Sequence, residues 1–208
     1  MKRTFDVLLS AMGLLLMLPM AALIAVMVKL DGGGPILFGQ DRVGRGGRVF
    51  TAWKFRSMIP DAESVTGPVQ ATPNDPRITR VGALLRATAM DELPQLWNIL
   101  RGDMSFVGPR PLRPGERDST AGGVLALETI PGYADRHRVR PGLTGLAQVY
   151  APRDAPRPEK FRYDLEYVAR RTMWLDCRLM AQSLLITVRG AWERHDPRRR
   201  RHLPDRPV

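Results

Sequence analysis

Met90-Asp91-Glu92-Leu93-Pro94-Gln95 places two adjacent carboxylates just before a proline. Pro94 is tolerated only in the first turn of a helix, where its missing N–H costs nothing. The spacing therefore predicts Asp91 at or beside a helix N-cap, with Glu92 just inside. There the unpaired N–H groups and the positive end of the helix dipole would keep both carboxylates ionised and could also receive a phosphate. Taken alone, such a pair is more often a cap than an active site. The neighbouring cations change that reading. Arg86 precedes the pair, and Gly108-Pro109-Arg110-Pro111 follows it. An arginine between two prolines sits on stiff backbone, so its fork is aimed at low entropic cost. Lys54-Phe55-Arg56 and Arg138-Val139-Arg140-Pro141-Gly142 repeat the theme. Bidentate phosphate recognition is the usual work of such arginines. Any one of these cations could be a solvated surface charge; together with two carboxylates they point to phosphate chemistry assisted by a divalent metal, for which Mg²⁺ is the natural choice.

Something must hold these residues, and the first thirty suggest where. Between Asp6 and Lys29 lie 22 uncharged residues, Val7 to Val28, broken only by Ser10, Gly13 and Pro19. At 1.5 Å per residue the run is long enough to cross about 30 Å of hydrocarbon. It lacks the short apolar core and the cleavage pattern of a signal peptide. Basic residues flank it on both sides, Lys2 and Arg3 before, Lys29, Arg42, Arg45 and Arg48 after, so both ends are drawn to the cytoplasm. Pro19 near its middle suits a helix that enters, bends and leaves on the same face. An ordinary span is equally open on these residues, since membrane helices tolerate proline.

Beyond residue 30 the punctuation is that of a compact domain. Ile36 to Phe38 and Arg48 to Phe55 read as strands of a β-hairpin around the Gly44–Gly47 turn. Residues 59–76 read as a loop, and 106–114 as an extended, proline-stiffened segment. Helices are predicted over 80–88, 93–100, 158–171 and 174–189, with Leu96, Trp97 and Leu100 on one face of the second. The tail from His195, with four consecutive arginines from Arg198, is expected to be disordered.

Composition bounds the alternatives. The chain has 208 residues, 44% hydrophobic and 25% charged, which excludes a wholly disordered protein. Lys and Arg number 32 against 21 acidic residues, a net charge of +11, which asks for an anionic partner. A single cysteine, Cys177, excludes an internal disulfide and any cysteine-cluster metal site. The basic excess also fits a membrane-anchored nucleic-acid binder. Aromatic residues are only 7%, however, and no nucleic-acid-binding signature is present. A basic run beside a membrane also attracts anionic lipid. One apolar segment is too few for a polytopic transferase.

Six blocks in order carry a resemblance over residues 1–190. They are Lys2-Arg3-Thr4-Phe5-Asp6; Gln40-Asp41-Arg42-Val43-Gly44; Lys54-Phe55-Arg56-Ser57-Met58; Asp75-Pro76-Arg77-Ile78-Thr79-Arg80-Val81-Gly82; Asp91 to Asn98 continuing through Gly102 to Pro111; and Arg140-Pro141-Gly142-Leu143-Thr144-Gly145. The chain resembles the small monotopic phosphoglycosyl transferases, a family of bacterial sugar transferases. The resemblance implies an α+β fold, mostly helical and membrane-associated, with a re-entrant membrane helix over 1–30 broken at Pro19. Amphipathic interfacial helices and a small β-hairpin would complete a catalytic domain over 31–190, followed by a basic tail over 191–208. It further implies transfer of a phosphosugar from a nucleotide (uridine) diphosphate sugar to polyprenol (undecaprenyl) phosphate at the cytoplasmic face of the bacterial inner membrane, initiating membrane glycan assembly. Asp91 would be the nucleophile, forming a phosphoaspartyl intermediate, and Glu92 would bind Mg²⁺ or position phosphate, with Asp91 a second metal ligand. Lys54, Arg86, Arg110 and Arg140 would bind substrate phosphates. A non-catalytic scaffold of the family would be expected to lose Asp91 or Glu92, and both are present. Partners would be the donor, the lipid acceptor and anionic membrane lipid, with no nucleic acid; whether the chain pairs as a homodimer stays open. Two departures stand out: Leu18 replaces a common serine before the membrane proline, and Leu146 and Tyr150-Ala151-Pro152-Arg153 replace a Trp and an Asn-Gly-Arg-Asn run. The sugar is therefore not transferable from better-known members.

Overall fold

The computed structural model describes residues 1–60, 62, 75–118, 125–152 and 155–188. The expectations for most of the 59–76 loop, for Arg153 and for the tail fall outside these residues.

The apolar run forms α1, Lys2–Gly32, a continuous helix about 46 Å long at 1.5 Å per residue. The break expected at Pro19 is not a break in the helix: Pro19 lies inside it. Proline deletes a single backbone bond, and the turns on either side carry the helix through. How α1 sits on the rest of the chain is more informative. At its start, Lys2 Nζ donates to the Val107 carbonyl at 3.2 Å and pairs with Asp176 at 2.6 Å. Arg3 donates to the Ile99 and Leu100 carbonyls at 2.5 and 2.7 Å. Buried Asp6 accepts from Ser105 Oγ and the Phe106 N–H. Midway, Gly13 lets Leu96 approach so closely that a Cβ would sit 3.2 Å from its methyl carbon. At the far end Ile24 and Val28 pack on Phe55 and Leu85, and Asp31 accepts from the Val81 N–H at 2.8 Å. Both ends of α1 are thus fastened to one body, while Leu8, Leu15, Leu16, Leu18, Leu23 and Leu30 stay exposed.

The hairpin is present and longer than expected: β1, Leu37–Val43, pairs antiparallel with β2, Val49–Phe55, with Phe38 opposite Lys54. Helix α2, Arg80–Ala87, is capped by Thr79, whose hydroxyl accepts from the Gly82 N–H. The next helix, α3, spans Gln95–Arg101, and its buried face is Leu96 and Ile99 rather than Leu96, Trp97 and Leu100. Trp97 is half exposed because α1 and the hairpin occupy the Leu96–Ile99 side, where Leu14 and Phe50 complete the packing.

Of the extended segment only β3, Ser105–Val107, is a strand; β4, Arg117–Asp118, pairs antiparallel with β5, Leu125–Ala126. A short α4, Tyr133–Arg136, leads to β6, Gly142–Thr144, which pairs in parallel with β3. This pairing needs glycine, since a Cβ on Gly142 would stand 2.1 Å from the Gly108 nitrogen and one on Gly108 2.3 Å from the Arg140 carbonyl oxygen. Helices α5, Leu146–Tyr150, α6, Arg157–Arg170, and α7, Met173–Val188, follow, the last two close to the predicted ranges. Their core joins Val107, Val149, Tyr163, Tyr167 and Leu179. Instead of dividing into one apolar and one polar face, α7 buries Leu179 and Ile186 while exposing Trp174, Leu184, Leu185 and Val188. The architecture is α+β, with seven α-helices and three two-stranded sheets among the described residues.

Candidate active site

Four elements converge on the carboxylate pair. After α2 the chain passes through Ala89, the one non-glycine residue with positive φ among those described (55°), and enters a 3-10 turn, Met90–Glu92. This left-handed step, costing roughly 1–2 kcal/mol for a residue with a Cβ, starts a new turn before Pro94 is reached. Asp91 and Glu92 therefore sit in a turn of their own, and Pro94 is the N-cap of α3. The expectation that the pair caps the following helix is corrected: α3 begins at Gln95 with Pro94 as its N-cap and no side-chain cap bond, and its Leu96 and Trp97 N–H groups donate to the Leu93 and Pro94 carbonyls.

Lys54, next to last in β2, comes to the pair because Asn98 of α3 grips the strand edge. Its side-chain oxygen accepts from the Trp53 N–H at 3.1 Å and its amide donates to the Thr51 carbonyl at 2.8 Å. The result is a Lys54 Nζ 2.5 Å from Glu92 Oε1 and 3.8 Å from Asp91 Oδ2. From the other side Arg110 brings Nη2 to 3.3 Å from the same Glu92 oxygen. The Arg110 backbone is held from below: its carbonyl accepts from Arg136 at 2.7 Å, and Arg136 is fully buried against Asp164 at 2.8 Å. Arg42 of β1 secures the next residue, donating to the Pro111 carbonyl at 3.0 Å. Arg42, Lys54, Glu92, Gln95, Arg110 and Pro111 line one groove.

The two carboxyls are tuned apart. Burial pushes Asp91 above the ordinary carboxylate value; Lys54 opposes the rise and the negative charge of Glu92 adds to it. Burial would also raise Glu92, but Lys54 and Arg110 outweigh it and bring it down to about 2. Arg42, desolvated and facing Arg110, is lowered to about 10. The arrangement is a neutralised Glu92 beside an Asp91 whose charge is less fully satisfied. Such a site can hold an anion against Arg110 and Lys54, with the Asp91 carboxyl next to Glu92 and within 3.8 Å of Lys54.

The predicted site residues divide. Asp91, Glu92, Lys54 and Arg110 come together. Arg86 acts on Asp91 through its charge rather than through a hydrogen bond. Arg140 is elsewhere: its Nε donates to the Gly102 carbonyl at 2.8 Å, and it lines a separate cavity with Lys2 and Arg45. The turn from β3 to β6 explains the separation, since Arg110 follows one strand and Arg140 precedes the other. Arg42, Gln95 and Arg136 belong to the site's construction and were not singled out by spacing. For Arg42 a signal exists in the Gln40–Gly44 block, but only the hairpin register shows which residue of it faces the groove. As for a metal, Asp91 and Glu92 offer hard oxygen donors, a donor set that fits Mg²⁺. No cluster of three or more ligating side chains occurs among the described residues. Substrate oxygens and water would have to supply the rest of the shell.

A family model described as bacterial sugar transferase matches residues 1–190. The chain belongs to the bacterial sugar transferase family. Within it, the exopolysaccharide production protein PSS of Rhizobium leguminosarum bv. phaseoli is 45% identical over 185 residues, 86% of this chain and 91% of that one. The undecaprenyl-phosphate glucose phosphotransferase of Komagataeibacter xylinus is 44% identical over 184 residues, covering 86% of this chain and 34% of its own length. The UDP-N-acetylgalactosamine-undecaprenyl-phosphate N-acetylgalactosaminephosphotransferase of Aeromonas hydrophila is 38% identical over 192 residues, 91% of this chain and 44% of its own. The chain spans most of the first sugar transferase and less than half of the other two.

Proposed function

We propose that this sugar transferase moves a phosphosugar from a uridine diphosphate sugar to undecaprenyl phosphate, by double displacement on Asp91. The clustering of Asp91, Glu92, Lys54 and Arg110 carries the reading, and the phosphotransferase names of its relatives agree with it. In the first step a carboxylate oxygen of Asp91 attacks the sugar-bearing phosphorus. The anhydride P–O bond breaks, and the nucleoside monophosphate leaves with the electron pair. In the second, a phosphate oxygen of the polyprenol acceptor attacks the same phosphorus and Asp91 leaves as carboxylate. A carboxylate is a weak nucleophile, so its position and the neutralisation of its target do most of the work. The short Asp91 side chain in a tight turn supplies the position. Arg110 and Lys54 supply the charge, and the burial of Lys54 and Glu92 strengthens their share of it. Mg²⁺, when bound by Asp91 and Glu92, would add Lewis-acid stabilisation of the transferring phosphoryl group.

The membrane reading follows from α1. A helix fastened at both ends and its middle to one soluble body supports insertion from one side, with its leucine-rich outer face in lipid and the groove beside the cytoplasmic surface. The re-entrant path, the inner-membrane location and the cytoplasmic orientation belong to this proposal.

The test is the first half-reaction without acceptor. Purified enzyme with UDP-sugars and Mg²⁺ should release up to one equivalent of uridine monophosphate and gain the mass of a phosphosugar on the peptide containing Asp91. Release that requires polyprenol phosphate, with no adduct, would establish direct attack by the acceptor and leave Asp91 a metal ligand.

A further inference from the structure

A cavity of about 350 Å³ lies between the first turns of α1 and α7 and shares no lining residue with the groove around Glu92. Its walls include Lys2, Arg45, Arg138, Arg140, Arg171 and Asp176. Five cations thus face one carboxylate, and that carboxylate is already committed. Asp176 Oδ2 pairs with Lys2 at 2.6 Å, and Oδ1 accepts from the Tyr167 hydroxyl at 2.8 Å. Arg138 pairs with Asp135 at 2.9 Å, but both side chains are largely exposed and solvent screens the pair. Among the described residues Arg45 and Arg171 have no ion-pair partner. Arg140 is half-buried beside them, its positive charge disfavoured by burial and by repulsion from Arg45 and Arg3.

Like charges gathered around a space of this size are costly without a ligand, and a multiply charged anion relieves the cost. Guanidinium groups match phosphate in geometry as well as charge. The volume exceeds what one small ion needs and lies in the range of pockets for organic ligands. The surroundings narrow the ligand further. Lys2 heads α1, whose exposed apolar residues are mostly leucine and methionine, and Met173 of the wall is followed by Trp174, which is 78% exposed. A phosphate at the cavity with apolar surface running away from it along two helices matches an amphiphile.

We propose that this cavity is a second phosphate-binding site, separate from the groove around Glu92, that takes a phosphoester of the kind found in anionic phospholipid headgroups. The chemistry it recognises is the phosphate itself, and lipid-borne and free phosphate are distinguishable by titration. Full-length protein in uncharged detergent would be titrated calorimetrically with dihexanoyl phosphatidylglycerol and, separately, with inorganic phosphate. The same titrations would use an Arg45→Gln/Arg171→Gln variant and a charge-matched Arg80→Gln/Arg117→Gln control; all four arginines are exposed, so the fold is not at stake. Saturable binding of the phospholipid, weakened at least tenfold in the first variant and less than twofold in the control, is expected. The same pattern with inorganic phosphate alone would support the site with a soluble phosphate as its ligand. Equal weakening by both variants, or saturable binding of neither probe, would overturn it.

Discussion

The groove around Glu92 and the cavity at Lys2 draw on the same residue types and differ in what balances them. In the groove, Lys54 and Arg110 converge on Glu92, and Asp91 stands beside it with a carboxyl raised by burial. In the cavity, five cations surround an Asp176 already taken by Lys2 and Tyr167. Compensated charge with one under-satisfied carboxylate is equipped to react; uncompensated positive charge is equipped to hold. Basic residues alone, which dominate this chain's composition, do not separate the two roles.

The contrast is sharpest if Asp91 is removed. Asp91→Asn should lower turnover by at least roughly 10⁴-fold, as loss of a nucleophile does, and abolish the acceptor-free adduct in mass spectrometry. Phosphate binding at the Lys2 cavity should be unchanged. Parallel loss of both would mean that the two regions are one site.

Next comes the support beneath the groove. Arg136→Leu leaves Asp164 buried without its partner and the Arg110 carbonyl without its donor. A loss of about 3–5 kcal/mol is expected, read by chemical denaturation. By contrast, Arg138→Gln at the cavity rim breaks an exposed pair and should cost less than about 1 kcal/mol. Similar costs would show that burial does not distinguish the regions.

Arg110→Lys keeps the charge and loses the fork. Turnover should fall by about 10²-fold, the scale of one transition-state donor, with a smaller rise in the Michaelis constant. Steady-state kinetics showing an undiminished lysine variant would return Arg110 to a surface charge.

The smallest effect is a displacement in pH. The first half-reaction needs ionised Asp91, whose raised pKa makes the rate fall, on acidification, at a higher pH than an ordinary carboxylate would. Glu92, held near 2, stays charged throughout that fall. Lys54→Met removes the cation that opposes the rise, so the acid limb should move further towards neutral pH in a quenched-flow profile of nucleotide release. A limb that stayed in place would deny the Lys54–Asp91 coupling.

Local pattern carried much of this molecule. The uninterrupted apolar run made α1 visible, the glycine turn with flanking β-branched and aromatic residues made the hairpin visible, and helical spacing located α2, α6 and α7 to within a residue or two. Asp91, Glu92, Lys54 and Arg110 were singled out as paired carboxylates and nearby cations, and the structure brings these four together. What spacing misread were two backbone details and one long-range contact. Pro19 signals a break, yet the helix continues through it. Pro94 signals a helix start at the carboxylates, yet Ala89 turns the chain earlier and gives them a turn of their own. Arg140 looks equivalent to Arg110 because both precede a proline, and only the parallel pairing of β3 with β6 sends one to the groove and the other to the cavity. Periodicity and turn chemistry act over a few residues and can be read along the chain. Which charges meet is decided by backbones that approach within a glycine's width, as Gly108 and Gly142 do, and no local preference encodes that meeting.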